Sequence, residues 1–383
     1  MTFVAATPAV ILLLAALWTE RRGGARVGFV AIGAALIAVA WMARAPRWGS
    51  SGTFDGDPLS LFLTGLILVE LAVAWVADAT SSQSRRLAAA AALILTVSTR
   101  NVVWIFLGFE AASLACLGPR TMSLVASAAS LSGLLLLAVA GGTDLAFLEP
   151  SPWAVAGLML FSCGLVLKWL AASAEPRFET LAMGVALVAY WVRLVSWTPE
   201  LPSVGLGLGE VLAWGGMMIG GLGAALAGRT RPCLAWIGVA QVGLAILGTM
   251  AGTLALPHVL LHLAASTLSI LLLASLVSGE KSRAVPAVWI LALSLASLPP
   301  FAGFVTKFPL LATLPVDATV AALLGTFLVG IGCARLVARV TREKGEKEKA
   351  WPATLAALAV ALSLGPFANL LYRLASRAAT GLF

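Results

Sequence analysis

Apolar runs of about twenty residues recur along the whole chain, each closed by a short polar break. A run of that length is what an α-helix needs to cross the hydrocarbon core of a bilayer. The runs predict fourteen spans, roughly at 3–19, 27–43, 59–77, 85–99, 102–118, 121–140, 153–172, 178–196, 207–227, 232–252, 254–278, 285–312, 316–338 and 352–372. Some breaks are very short, such as Thr99–Asn101 and Gly118–Thr121.

Span 12 departs from the pattern. Its segment "SLASLPPFAGFVTKFPLL" places Pro299, Pro300, Gly303 and Lys307 inside one apolar run. Two consecutive prolines remove two backbone donors and forbid regular helix. Broken helix at bilayer depth survives only where protein or water satisfies the freed carbonyls. Transporters use such breaks to expose helix-end dipoles to an ion path. Lys307 follows Pro300 by seven residues, about two turns into a second half-helix. The pattern predicts a lysine in a polar pocket beside a helix break.

Composition fits a membrane protein throughout: 60% hydrophobic, 11% charged, with a mean hydropathy of +0.99 over 383 residues. No soluble core could absorb that much apolar surface, and no polar stretch is long enough for a soluble domain. The expected organisation is one polytopic membrane domain over 1–383. The net charge of +8 carries meaning through its placement, and a nucleic-acid partner is not expected.

With the N-terminus outside, seventeen of the 25 Lys and Arg residues fall on the cytoplasmic side and five outside. Lys168, Arg193 and Lys307 lie within spans. That asymmetry satisfies the positive-inside rule and predicts both termini outside a bacterial cytoplasmic membrane. The first apolar run reads as a retained span, because its basic residues follow the apolar stretch instead of preceding it. Cys116, Cys163, Cys233 and Cys333 lack CxxC or HxxxC spacing and read as packing residues, with no metal site.

A charge at bilayer depth costs several kcal/mol on most scales, so ionisable groups inside spans are functional candidates. Glu110 sits near the middle of span 5, where a carboxylate must be protonated, paired or hydrated. Lys168 lies about four residues from the end of span 7, close enough to snorkel. Arg193 ends span 8 and reads as an interfacial anchor. Glu70 is deep in span 3, and its spacing names no partner. His258 and His262 are the only histidines. Four apart, they share one helix face and suit a proton relay or pH-sensitive gate.

These residues resemble a known family. "SLASLPPFAGFVTKF" is similar to the S-L-x-G-L-P-P-x-A-G-F-x-x-K-F motif of the antiporter-like proton-translocating subunits of respiratory complex I. The Lys-Phe ending resembles the subunit N type (subunit 2 in mitochondria), with relatives in membrane-bound hydrogenases and multisubunit sodium/proton antiporters. "NVVWIFLGFEAASLACL" resembles the family's helix 5 segment and places Glu110 on its glutamate. "GLVLKWLAA" places Lys168 on the lysine that pairs with it. "RPCLAWIGVAQVGLAILG" puts Gln241 where a histidine usually stands, and "HVLLHLAAS" puts Ser266 in place of a lysine. The segment "FDGDPLSLFLTGLIL" resembles the one opening helix 3.

The resemblance implies an all-α fold of about fourteen transmembrane helices. Helices 4–8 (about 85–196) and 9–13 (about 207–338) would be inverted repeats, with discontinuous helices 7 and 12. It implies a proton relay through Glu110, Lys168, His258, His262 and Lys307, without a redox centre in this chain. Iron–sulfur clusters, flavin and quinone would belong to partner subunits. The expected partners are other membrane subunits, the lipid bilayer and protons or sodium ions. Two departures stand out: the P-F-H-x-W-x-P-D segment and A-P-T-P turn after Lys168 are missing, and helix 8 has no clear lysine match. A subunit of an ion/proton antiporter or of a hydrogenase or bicarbonate-uptake complex fits the same residues. So does a structural subunit whose channel has decayed.

Overall fold

The computed structural model describes residues 5–22, 25–44, 54, 56–77, 83–117, 121–173, 177–197, 203–278, 285–299, 301–342 and 368–380. Fifteen α-helices account for nearly all of them, and among the described residues there is no β-strand beyond isolated bridges. Nine helices are long and apolar enough to cross a bilayer, again among the described residues. The chain is an all-α, multi-pass membrane protein.

Two compact units divide it: Met1–Ala172 with Phe178–Leu208 and Arg377–Phe383, and Ser173–Arg177 with Gly209–Ser376. The first unit carries α1 (Thr7–Arg22), α2 (Ala25–Arg44), α3 (Pro58–Ala77), α4 (Gln83–Val97), α5 (Val102–Leu117), α6 (Thr121–Val139), α7 (Pro152–Ala172) and α8 (Phe178–Trp197). Most of α9 (Ser203–Leu226) belongs to the second, with α10 (Thr230–Met250), α11 (Leu256–Ser278), α12 (Val285–Leu295), α13 (Ala302–Thr313) and α14 (Val316–Arg342). A last helix, α15 (Ala368–Thr380), is amphipathic. Expected span 14, at 352–372, lies mostly outside the described residues.

Polar side chains at bilayer depth face protein and not lipid. Over their spans α8 is 94% buried and α10 is 89% buried, and they carry the buried Arg193 and Gln241, whereas α2 and α6 are each 28% buried. In the first unit, α8 packs on α3, α4, α5 and α7. The α6–α7 pair is the most intimate in the molecule because small residues let the backbones touch. A Cβ on Gly164 would meet Ser130 and the Ala126 carbonyl.

Two polar clamps tie α3, α4 and α8 together at opposite ends of α3. At one end Asp57 caps α3 through the Ser60 amide (2.6 Å). Arg193 on α8 donates to Ser60 Oγ (2.5 Å) and to the carbonyl of Val97, the last residue of α4 (2.7 Å). At the other end Arg86 on α4 donates to the Ala74 carbonyl (3.0 Å) and lies 3.9 Å from Glu179 on α8. Arg86 is thus a buried residue within α4. Its guanidinium satisfies a helix-end carbonyl that lipid could not.

Span 7 corrects an expectation. It is one unbroken helix, Pro152–Ala172, not the discontinuous helix that the resemblance implied. The local reason is plain: neither proline nor glycine occurs between Gly164 and Ala172, so nothing interrupts the hydrogen-bond ladder. Span 12 does break. α12 stops at Leu295 and α13 begins at Ala302.

Candidate functional site

Two buried lysines dominate the described ionisable groups, one in each unit. In the first unit Lys168 on α7 forms an ion pair with Glu110 on α5. The lysine side chain is 1% exposed and the carboxylate 20%. Lys168 does not snorkel. Its Nζ also donates to Ser127 Oγ on α6 at 2.7 Å. Ser127 Oγ donates in turn to the Ser123 carbonyl at 2.8 Å, which turns its lone pairs toward the ammonium. Antiparallel α6 and α7 bring this about: Gly164 lies against Ser130, and one turn on, Lys168 meets Ser127.

In the second unit the span 12 break builds the site. The Leu298 amide bonds the Leu293 carbonyl (3.1 Å) and the Ser297 amide bonds the Ser294 carbonyl (3.0 Å). This is the Schellman closure of a helix end, and it places Ser297 at the left-handed position with φ 60°. The Leu295 carbonyl remains to be satisfied. Lys307 on α13 donates to it at 3.1 Å. The negative end of the α12 dipole thus faces a buried ammonium. Ser294 Oγ accepts from the Gly303 amide (3.1 Å), and a Cβ at 303 would collide with the Ser294 carbonyl. Gly303 is needed for that close approach. Pro299 is exposed in the turn, and Pro300 lies outside the described residues.

Two small cavities border Lys307. One is lined by Gln241, His262, Ser266, Ser294 and Lys307 among others, and the other by Gln241, Leu244, Thr326 and Lys307 among others. Each gives the centre of a water molecule about 10 Å³, the lower limit for holding one water. Gln241 lines both, and its Oε1 is buried without a hydrogen-bond partner. His262 Nε2 lies 3.3 Å from the Gln241 carbonyl, so that nitrogen carries the hydrogen in this arrangement. Ser266 Oγ donates back to the His262 carbonyl of its own helix at 2.7 Å.

The remaining candidates separate. His258 is half-buried and does not line either cavity; its ring lies 5.3 Å from that of Tyr372. The histidines share a helix face in sequence, but only His262 reaches the Lys307 site. Glu70 is fully buried in α3. Arg193 is 1% exposed and belongs to the α3–α4–α8 clamp, with Asp57 at 3.5 Å. It is not an interfacial anchor, because its position near a helix end serves the neighbouring helix ends instead of the lipid surface.

No protein-family model and no curated protein matches the sequence. Solved structures do match. A chain of respiratory complex I from Thermus thermophilus, solved with bound Aureothin, superposes with TM-score 0.79 at 20% identity, over 97% of this chain and 99% of that one. A chain of the Mrp complex from Dietzia sp. DQ12-45-1b gives TM-score 0.78 at 20% identity, over 100% and 98%. A chain of the membrane-bound sulfane sulfur reductase, an archaeal respiratory membrane complex, gives 0.80 at 14% identity, over 99% and 97%. The chain shares the fold of these membrane-complex chains.

Within that fold, Ser127, Asp57 and Ser60 are the polar partners that sequence reading did not single out. Asp57 carried a usable signal. "DPLS" places an N-cap carboxylate, a first-turn proline and a serine in register at a span entry. Ser127 carried none. It is one of several serines along α6, and only the packing against α7 distinguishes it.

Proposed function

We propose that this chain is a proton-translocating, antiporter-like subunit of a complex I-type NADH–quinone oxidoreductase or a related redox-driven membrane complex. The carrying observation is the ion pair of Glu110 with Lys168 on adjacent helices, with Lys168 fully buried. Burying a lysine costs several kcal/mol, and substituting apolar residues for such pairs is often neutral or stabilising. Its presence at bilayer depth points to a use beyond stability.

In this reading Glu110 and Ser127 hold the protonated Lys168. Moving Glu110 away removes the counter-charge that favours the ammonium, and frees its proton for transfer. Lys307 is the second titratable station. The helix break gives it one fixed acceptor, the Leu295 carbonyl, and cavities with room for water beside Gln241 and His262. The chain's own residues hold and pass protons; iron–sulfur, flavin and quinone chemistry would reside on companion subunits. The excess of Lys and Arg in alternate loops supports a cytoplasmic-membrane orientation with both termini outside.

A second reading, a subunit of a multisubunit sodium/proton antiporter, is favoured by the match to the Mrp complex chain, which is as complete as the match to complex I. The unbroken α7 and the back-bonded Ser266 favour a third, a structural subunit with a decayed channel. Affinity purification of the tagged full-length chain from its native membrane, with identification of stoichiometric companions, separates the first two. Quinone-reductase or hydrogenase subunits support the redox-driven reading. Small antiporter subunits without redox partners overturn it.

A further inference from the structure

Among the described residues, one end of the second unit gathers arginines without carboxylates. Arg335 and Arg339 on α14 donate to the carbonyls of Ala225 and Ala227, at the C-terminal end of α9. Arg229 follows Ala227 by two residues as the N-cap of α10, Arg231 lies in the first turn of α10, and Arg342 ends α14. Cys233 Sγ fixes these three helix ends together, donating to the Ala224 carbonyl (3.4 Å) and lying 3.5 Å from the Gly332 carbonyl. Among the described residues none of the five arginines has an ion-pair partner. Each guanidinium has five N–H donors, and the carbonyl bonds of Arg335 and Arg339 use one apiece. Arg339 Nη1 is buried without any hydrogen bond.

The same place carries two further features. Arg229 supplies no side-chain cap to α10, so the first amides of a 21-residue helix add their positive dipole end. Exposed apolar side chains lead away from the arginines on both helices. Leu323, Phe327 and Ile331 are exposed at four-residue spacing ahead of Arg335 and Arg339 on α14, and Leu222 and Leu226 are exposed on α9. Basic head above, apolar stripe below: this is the chemistry of a lipid at the membrane–water interface.

We propose that the α9–α10 turn and the end of α14 bind the phosphate of an anionic phospholipid. Arg229, Arg231, Arg335 and Arg339 contact the headgroup, and an acyl chain lies along Phe327 and Ile331. The phospholipid supplies the negative charge that the described chain lacks here, and the apolar stripe favours a lipid over free phosphate. The proposal does not depend on the transport reading.

The test uses the full-length protein in detergent, with retained lipid measured by native mass spectrometry after titration with phosphatidylglycerol or phosphatidylcholine. Each basic residue near such a headgroup is worth roughly a factor of five. Removing two is expected to weaken phosphatidylglycerol retention about 30-fold, with little effect on phosphatidylcholine. Arg335→Gln/Arg339→Gln also removes bonds to the end of α9, so Arg229→Gln/Arg231→Gln is the second variant, whose side chains make no hydrogen bond or ion pair among the described residues. Wild-type retention in both double variants overturns the site. Equal retention of both lipids reduces it to an apolar groove. Displacement of phosphatidylglycerol by inorganic phosphate makes it a phosphate site and overturns the lipid. Loss of the lipid whenever a companion subunit binds assigns the surface to a protein instead.

Discussion

Lys307 Nζ donates to the Leu295 carbonyl at 3.1 Å, so the cation on one half-helix closes the open end of the other. The double proline and the lysine are therefore parts of one device. The break frees a carbonyl inside the membrane, and the buried ammonium is what meets it.

That arrangement separates Lys307 from Lys168 energetically. Lys307→Met loses a charge-assisted bond worth about 1.5–3 kcal/mol but also removes a buried charge whose desolvation costs a similar or larger amount. Among the described residues no ion pair is broken. The expected change in stability is within about 1 kcal/mol. Lys168→Met strands the Glu110 carboxylate and costs more, about 2–3 kcal/mol. Thermal unfolding of the two variants in one detergent checks the order.

Ser297 holds φ 60° without being glycine. The left-handed region costs an L-residue about 1–2 kcal/mol that glycine does not incur. Ser297→Gly should raise the melting temperature and Ser297→Val should lower it. Equal melting temperatures for all three would show that the turn relaxes away from this geometry.

Gly303→Ala drives a methyl into the Ser294 carbonyl. Parting the two half-helices should cost about 2–3 kcal/mol, more than Ser294→Ala, which loses one hydrogen bond of about 1 kcal/mol. The comparison is again by thermal unfolding.

Much of the fold could be read from the chain because bilayer crossing imposes one length and one polarity on every span. The break in span 12 was legible too: Pro299 and Pro300 state locally that helix cannot continue. Span 7 stays whole for the same local reason in reverse: "LVLKWLAA" contains no breaker, and a family resemblance does not carry that fact. The clamp around Arg193 stayed hidden for a different reason. Its partners are a cap carboxylate and a helix-end carbonyl far away in sequence, and periodicity does not report which helix ends meet. Ser127 and the parting of His258 from His262 are likewise products of packing.

The Arg193 clamp yields a coupling measurement. Arg193→Met and Asp57→Asn each remove part of a buried network spanning three helices. Arg193→Met should cost about 3 kcal/mol. The double variant should cost less than the two single costs combined, by about 1 kcal/mol. Strict additivity would place Arg193 in service of the Val97 carbonyl and Ser60 alone.

The most direct measurement is proton translocation by the chain within its native complex in sealed vesicles, comparing wild type with Glu110→Gln and Lys307→Met. The driving reaction is monitored in parallel. Loss of positioned proton-transfer groups costs about 10²-fold or more. The account predicts that translocation per turnover collapses in both variants, while the complex still assembles. Full translocation in both would contradict it and leave the chain a scaffold.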